Sequence, residues 1–260
     1  MYPYLWEEVF GYNLPMYDLM ITTGLLFMMI YIAWRFEKID HFSRKETNKL
    51  LVFVVISLAA ALFTSWLSDG IFHTIHEGES AFGSITFIGG LIGGLICFVL
   101  LIKFGYKEQK ERLPEILNTL IVGVVLAHAF GRIGCFTAGC CYGIPTDSFL
   151  GVSFPYGESG GISVFPTQLF EAFFLFALFI VLNKVKSFKN IEFNVYLIGY
   201  GTWRFLIEFI RGDDRGEFLS FIQGAYSNYP TPSQYLSLFM IGLGIYLLVK
   251  NHKKNKTLAK

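Results

Sequence analysis

Charge is the scarcest property of this chain. Aspartate, glutamate, lysine and arginine make up 16% of its 260 residues, against about 25% in a soluble globular domain. Hydrophobic residues make up 53%, with 28 phenylalanines, and the mean hydropathy is +0.50. A water-soluble protein is thereby excluded. Also missing is a basic segment ahead of the first apolar run, which Glu7, Glu8 and Asp18 precede without any lysine or arginine; a cleavable signal peptide needs one. No window reads as a soluble domain or a long linker, and neither an internal repeat nor a low-complexity tract is visible. One polytopic membrane domain over 1–260 is the simplest organisation. The net charge of +1 says little about partners, because the charges are sorted by location.

Seven windows have the length and apolar content of membrane-spanning helices. They lie near 17–34, 50–67, 85–104, 114–133, 168–183, 193–211 and 233–249. Asn118, Thr119 and His128 interrupt the fourth, and the fifth is short and opens on "PTQLFE". Polar residues inside a span face protein rather than lipid. The stretches near 68–84, 134–167 and 212–232 read as outer loops, the last two rich in Gly, Pro, Ser and Tyr. The expected class is an all-α integral membrane protein of about seven transmembrane helices.

Cytoplasmic loops collect Lys and Arg. Arg35, Lys38, Arg44, Lys45 and Lys49 follow the first window, and Lys103, Lys107, Lys110 and Arg112 the third. Lys184, Lys186 and Lys189 follow the fifth, and Lys250, Lys253, Lys254, Lys256 and Lys260 the seventh. With seven spans all four groups fall on one side, so the N-terminus is expected outside and the C-terminus in the cytoplasm. The remaining four basic residues, Arg132, Arg204, Arg211 and Arg215, lie at or near the outer ends of the fourth and sixth windows. Arginine keeps its charge and presents a planar fork that fits phosphate or carboxylate. Two readings follow: internal ion pairs, or a phosphate site open to the outer leaflet. Arg204, Glu208 and Arg211 at i, i+4 and i+7 share one face of the sixth helix. Glu208 there either neutralises the guanidiniums or holds one in place for an anion.

In "FIGGLIGGLI" the glycines Gly89/Gly93 and Gly90/Gly94 form a smooth face, which in membranes serves close helix packing; room for a lipid is the alternative. "GRIGCFTAGCCYGIPT" places Cys135, Cys140 and Cys141 at the outer end of the fourth helix and in the loop beyond. In an oxidising compartment a disulfide from Cys135 to Cys140 or Cys141 is feasible, stapling the loop and leaving one thiol over. No metal site is expected, since C-x4-C-C lacks paired C-x2-C spacing and a second histidine set. Cys97 reads as a small apolar filler. His128, one turn before Arg132, has the chemistry of a general base near pH 7; a histidine bonded to a buried polar neighbour is the plainer alternative. His73 and His76 read as solvated residues of the outer loop after the second window.

"GRIGCFTAGCCYG" resembles the signature segment of the bacterial prolipoprotein diacylglyceryl transferases. "LPMYDLMITTGLL", "FIGGLIGG", "FPTQLFEA", "YGTWRFLIEFIRGDDRG" and "TPSQYLSLFMIGLGIYLL" resemble further blocks of that family, so the likeness covers nearly the whole chain. It implies transfer of a diacylglyceryl group from phosphatidylglycerol to the lipobox cysteine thiol of prolipoprotein signal peptides. The reaction would run at the outer face of the bacterial inner membrane, with the lipid bilayer as the setting and no cofactor, metal or nucleic-acid partner. Family positions are matched at Tyr17, Gly131, Arg132, Gly134, Gly139, Gly143, Gln168, Glu171, Arg204, Glu208 and Arg211. Arg132, Arg204 and Arg211 would bind the phosphate, and the attacking thiol must lose its proton.

The chain also departs from the pattern. Ile88 stands at the family's usual histidine before the paired glycines, Cys135 at its asparagine, Cys140 at its acidic residue, and Phe165 at the histidine before Pro-Ser-Gln. Retained transfer would then use His128 or Glu208 as base, with Tyr17 beside them. A paralogue with changed substrate or with lipid binding alone is the alternative, and a thiol–disulfide membrane protein the third account.

Overall fold

The computed structural model describes residues 4–9, 12–77, 87–157, 159–212 and 231–258. Among the described residues seven α-helices run in chain order: α1 (Met16–Lys38), α2 (Arg44–Glu77), α3 (Phe87–Leu100), α4 (Leu113–Ala138), α5 (Thr167–Lys184), α6 (Glu192–Ile207) and α7 (Pro232–Leu258). A hairpin of β1 (Tyr4–Val9) and β2 (Tyr12–Pro15) precedes α1, and β3 (Val152–Ser153) pairs antiparallel with β4 (Ser163–Val164) between α4 and α5.

Every apolar window finds a helix, and among the described residues five are long and apolar enough to cross a membrane: those of α1, α2, α4, α5 and α7. The helix of the third window is shorter, and α6 has 16 residues. The helices turn large apolar side chains outward, with Leu62, Phe63, Phe173 and Phe239 all more than half exposed. An apolar exterior of this kind is stable in lipid and not in water. The protein is a multi-pass membrane protein.

Two helix ends differ from the sequence expectation. The second helix continues to Glu77 instead of yielding to a loop near 68, because Gly70 is tolerated within it and Thr74 bonds back to the Gly70 carbonyl at 2.6 Å. His73 and His76 therefore sit on a helix, not in a loop. The sixth helix stops at Ile207, and one 3-10 turn (Glu208–Ile210) leads to extended backbone at Arg211. Arg215 and the "DDRG" turn lie outside the described residues, as does most of the 212–232 loop.

The chain divides into two compact units, Tyr31–Leu117 and Met1–Ile30 with Asn118–Lys260. In the first, the glycine pairs let α3 lie tightly on α2. A Cβ at Gly89 would collide with Ser68 and one at Gly93 with Thr64, while Gly94 faces Ala61. The close-packing reading of these glycines therefore holds. At the start of α2, Ser43 and Glu46 form a capping box, with the Ser43 N–H donating to the carboxylate at 2.8 Å. The polar segments after α1 and after α3 meet here: Gln109 donates to Glu46, and Arg112 to the Asp40 carbonyl at 2.6 Å. The Arg112 guanidinium also stacks 3.5 Å from the Phe42 ring centroid. These two basic segments thus share one end of their unit.

In the second unit, Gly24 lets α1 approach α4 beside Ala127 and Phe130, and Gly201 and Gly244 bring α6 and α7 together. The Asn118 side chain accepts from the Phe193 N–H at 2.9 Å, satisfying an orphan donor at the start of α6. Opposite this end, the C-termini of α4 and α6 and the N-termini of α5 and α7 converge. That end carries the polar residues.

Candidate functional site

Glu171 is the hub. It lies one turn into α5, fully buried. The first turn of α5 is tied to the preceding loop: Thr167 Oγ1 donates to the Cys141 carbonyl at 2.8 Å, and Gln168 Nε2 to the Cys140 carbonyl at 2.5 Å. These bonds set the direction in which Glu171 points. Its Oε1 accepts from the Tyr200 hydroxyl of α6 at 2.7 Å, and its Oε2 stands 3.0 Å from Arg132 Nε of α4. His128 Nε2, one turn before Arg132, is 3.8 Å from Glu171 Oε1, and its ring meets Tyr200 edge-on at 5.2 Å. A carboxylate this deep in an apolar bundle is tolerated only with such compensation.

A second pair lies on α6. Arg204 Nη2 is 3.3 Å from Glu208 Oε2 and donates to Ser233 Oγ at 3.0 Å. Glu208 is wholly buried, and its Oε1 accepts from Thr231 at 2.7 Å. Thr231 and Gln234 form a capping box at the start of α7, the Thr231 N–H donating to Gln234 Oε1 at 2.9 Å. Gln234 also donates to the Phe205 carbonyl, fastening α7 to α6. Arg204 Nη1 is buried without a hydrogen-bond partner among the described residues.

Of the two readings left open for the outer arginines, Arg132 and Arg204 each make an ion pair with one glutamate, which does not decide the phosphate reading. The shared helical face of Arg204, Glu208 and Arg211 is not present. The chain leaves the helix before Arg211 so that its backbone can pair with the loop after α4: Ile144 N–H donates to the Ile210 carbonyl at 2.9 Å, and Gly212 N–H to Tyr142 at 3.1 Å. Gly143 sits in that bridge, where a Cβ would strike the Ile210 carbonyl and Phe165. Gly134 receives Tyr17 of α1 at close range. A Cβ at Gly131 would meet nothing within 4 Å.

Helix α4 continues through Cys135 and ends in a Schellman turn: Cys140 N–H donates to the Cys135 carbonyl, Gly139 N–H to Phe136, and Gly139 takes φ +73°. Cys141 follows at φ +61°. This fold-back brings the three Sγ atoms within 4.8 Å of one another. All three are free thiols in this structure, and their sulfurs meet as a trio. Hydrogen bonds from Cys135 and Cys140, reinforced by the Arg211 and Arg132 charges, hold the Cys141 thiol far below the ordinary thiol range. The Cys140 thiol, bonded to both neighbours, is pushed far above it.

Sequence reasoning ranked Glu171 and Gln168 as supports and missed Tyr200, Thr231, Ser233 and Gln234. Only Thr231 and Gln234 carried a local signal, the Thr-x-x-Gln spacing with Pro232 at the first helical position.

The fold and site thus define a multi-pass membrane protein with guanidinium–carboxylate pairs gathered at one end of a helical unit. A family model described as prolipoprotein diacylglyceryl transferase matches residues 3–250, and the chain belongs to that family. Among similar proteins is phosphatidylglycerol–prolipoprotein diacylglyceryl transferase 2 of Clostridium perfringens, 31% identical over 96% of this chain and 95% of the relative. The phosphatidylglycerol–prolipoprotein diacylglyceryl transferase of Clostridium tetani is 33% identical over 92% of this chain and 94% of the relative. That of Ehrlichia canis is 31% identical over 87% and 89%.

Proposed function

We propose that this protein is a transferase that moves the diacylglyceryl group of phosphatidylglycerol onto the lipobox cysteine thiol of prolipoproteins. In this reaction the thiol sulfur attacks the glyceryl carbon, the C–O bond to phosphate breaks, a thioether forms, and glycerol phosphate leaves. The thiol proton must pass to a base, and the departing phosphate must have its growing charge neutralised. The observation that carries the reading is the Arg132–Glu171–Tyr200 cluster with His128 at its edge, built on three helices of a family member. Glu171 and Glu208 hold two guanidiniums at fixed positions in a low-dielectric interior, and Arg204 Nη1 still has a donor to give. Such preorganised charge suits an anionic headgroup.

His128 is the better base. Glu208 pairs with Arg204, accepts from Thr231 and has no exposed surface, whereas the His128 side chain keeps 15% exposure beside Arg132 and Glu171. Purified protein with phosphatidylglycerol vesicles and a lipobox peptide should yield the thioether-linked diacylglyceryl peptide, read by mass spectrometry. His128→Ala should lower the rate by about 10²-fold, the lower range for loss of a general base. A wild-type rate in that variant removes His128 from the role. If the wild type binds phosphatidylglycerol vesicles but forms no product, the lipid-binding reading favoured by Ile88 replaces transfer.

The orientation we infer is seven crossings of the bacterial inner membrane, N-terminus outside and C-terminus cytoplasmic. What supports it is the sorting of lysines, together with the meeting of the two basic segments of Tyr31–Leu117 at one end. A green-fluorescent fusion after α7 should fluoresce and a periplasm-dependent phosphatase fusion there stay inactive. The reverse pattern overturns the assignment.

A further inference from the structure

The transfer proposed above assigns no role to the cysteine trio. Cys135 is on the last turns of α4, three residues after Arg132; Cys140 and Cys141 follow the Schellman turn. The Cys140 and Cys141 carbonyls receive the two side-chain bonds that anchor the start of α5, and the next residues, Tyr142 to Ile144, pair with Ile210 to Gly212 just beyond α6. Whatever joins the three sulfurs therefore fixes the junction of three helices, one turn from Glu171. Cys141 is held at a positive φ that non-glycine residues seldom adopt, and that conformation keeps its sulfur beside the other two.

The geometry points to a binding site for one thiophilic closed-shell cation, Zn2+ or Cu+, held by Cys135, Cys140 and Cys141. The spacing C-x4-C-C is unlike that of structural zinc motifs because those bring their pairs together on tight knuckles. Here the helix terminus does the same work by folding the chain back on itself. Three thiolates around a tetrahedral ion bound at about 2.3 Å stand about 3.8 Å apart, so sulfurs already within 4.8 Å need only small adjustments to close on it. All three residues are partly accessible. Three thiolates with a divalent ion leave one negative charge, and with a monovalent ion two. The guanidiniums of Arg211 and Arg132, which act electrostatically on Cys141, offset it. Binding forms three S–metal bonds, releases to solvent the protons the thiols still carry, and changes no oxidation state. Soft thiolate donors select these ions over Mg2+ or Ca2+.

The test uses the full-length protein in detergent, reduced and stripped with chelator under anaerobic conditions. It is titrated separately with Zn2+ and with Cu+ against chromophoric competitors, and with Cd2+ to read its thiolate charge-transfer band. One equivalent should bind. Cys135→Ser, Cys140→Ser and Cys141→Ser should each weaken binding at least ~100-fold, the scale of losing a ligand's contribution, and Cys97→Ser should bind as wild type. Tight uptake of Zn2+ with a tetrahedral Co2+ spectrum supports the four-coordinate form, and uptake of Cu+ alone the trigonal one. Should a serine variant not fold, maleimide footprinting of the wild type replaces it: the ion should protect three cysteines and leave Cys97 at its metal-free reactivity. No saturable uptake by the reduced protein, uptake that survives all three substitutions, or no protection of the trio overturns the proposal. These readouts are independent of transfer activity, so failure of one reading does not carry the other with it.

Discussion

Replacing Arg132 with alanine is expected to lower diacylglyceryl transfer by about 10²–10³-fold, the effect of removing one preorganised donor from a developing anion. The guanidinium is set by α4 and held by Glu171 through Nε at 3.0 Å. If its charge matters most as the phosphate departs, kcat falls more than KM rises. Arg132→Lys should not restore the rate, because a single ammonium cannot face a carboxylate on one side and a phosphate on the other as a planar fork does. The variant also strands Glu171, so a structural role must be separated from a chemical one. The double variant Arg132→Ala/Glu171→Gln does this. It should recover the thermal stability lost in Arg132→Ala while transfer stays low. Recovery of both would assign Arg132 to folding alone, and a wild-type rate in Arg132→Ala would remove it from the reaction.

How much of this could be read from the sequence depends on distance along the chain. Hydropathy located all seven helices because each is a local run of apolar residues, and the four-residue step from His128 to Arg132 placed both on one face of α4. The basic segments after α1 and α3 were visible by composition, and the structure joins them through Arg112, Asp40, Glu46 and Gln109. The partner of Arg132 was not visible. Glu171 is 39 positions away on another helix, and no periodicity connects the two. Nor did the pattern around Arg204 reveal that the helix would end before Arg211. The i, i+7 spacing is only meaningful while the helix lasts, and the backbone pairing of Ile210 and Gly212 with Ile144 and Tyr142 ends it. The trio closes by a turn whose two positive φ values, at Gly139 and Cys141, fall one on the residue type that favours them and one on a type that does not.

The paired buried charges of α4, α5 and α6 are gathered for a physical reason. Arg132 and Arg204 are each matched to a glutamate from a neighbouring helix or turn, and the carboxylates are in turn bonded by Tyr200 and Thr231. Ion pairs of this kind add little net stability over apolar packing. What they add is position: a guanidinium that is already paired does not need to reorganise when an anion arrives. The same pairs specify which helices meet, since mispacked α4, α5 and α6 would leave charges unpaired in an apolar interior.

Glu171→Ala is accordingly expected to be the most destabilising single change at the site, by about 3–5 kcal/mol, the cost of breaking a buried ion pair from one side. It leaves the Arg132 charge uncompensated, removes the acceptor of the Tyr200 hydroxyl, and opens a void on a helix that is otherwise fully packed there. Glu171→Gln separates these contributions. The amide keeps the volume and one acceptor for Tyr200 but not the charge, so its loss should be smaller, and the remainder measures what the charge on Arg132 demands. Both are read as unfolding of the detergent-solubilised protein at fixed lipid and pH. Arg132→Leu/Glu171→Leu, which removes both charges and fills the space, should lie closer to wild type in stability than Glu171→Ala does, yet be inactive. Equal loss in Glu171→Ala and the double leucine variant would mean that the pair is not coupled, and the hub described for α4, α5 and α6 would then not hold the bundle together.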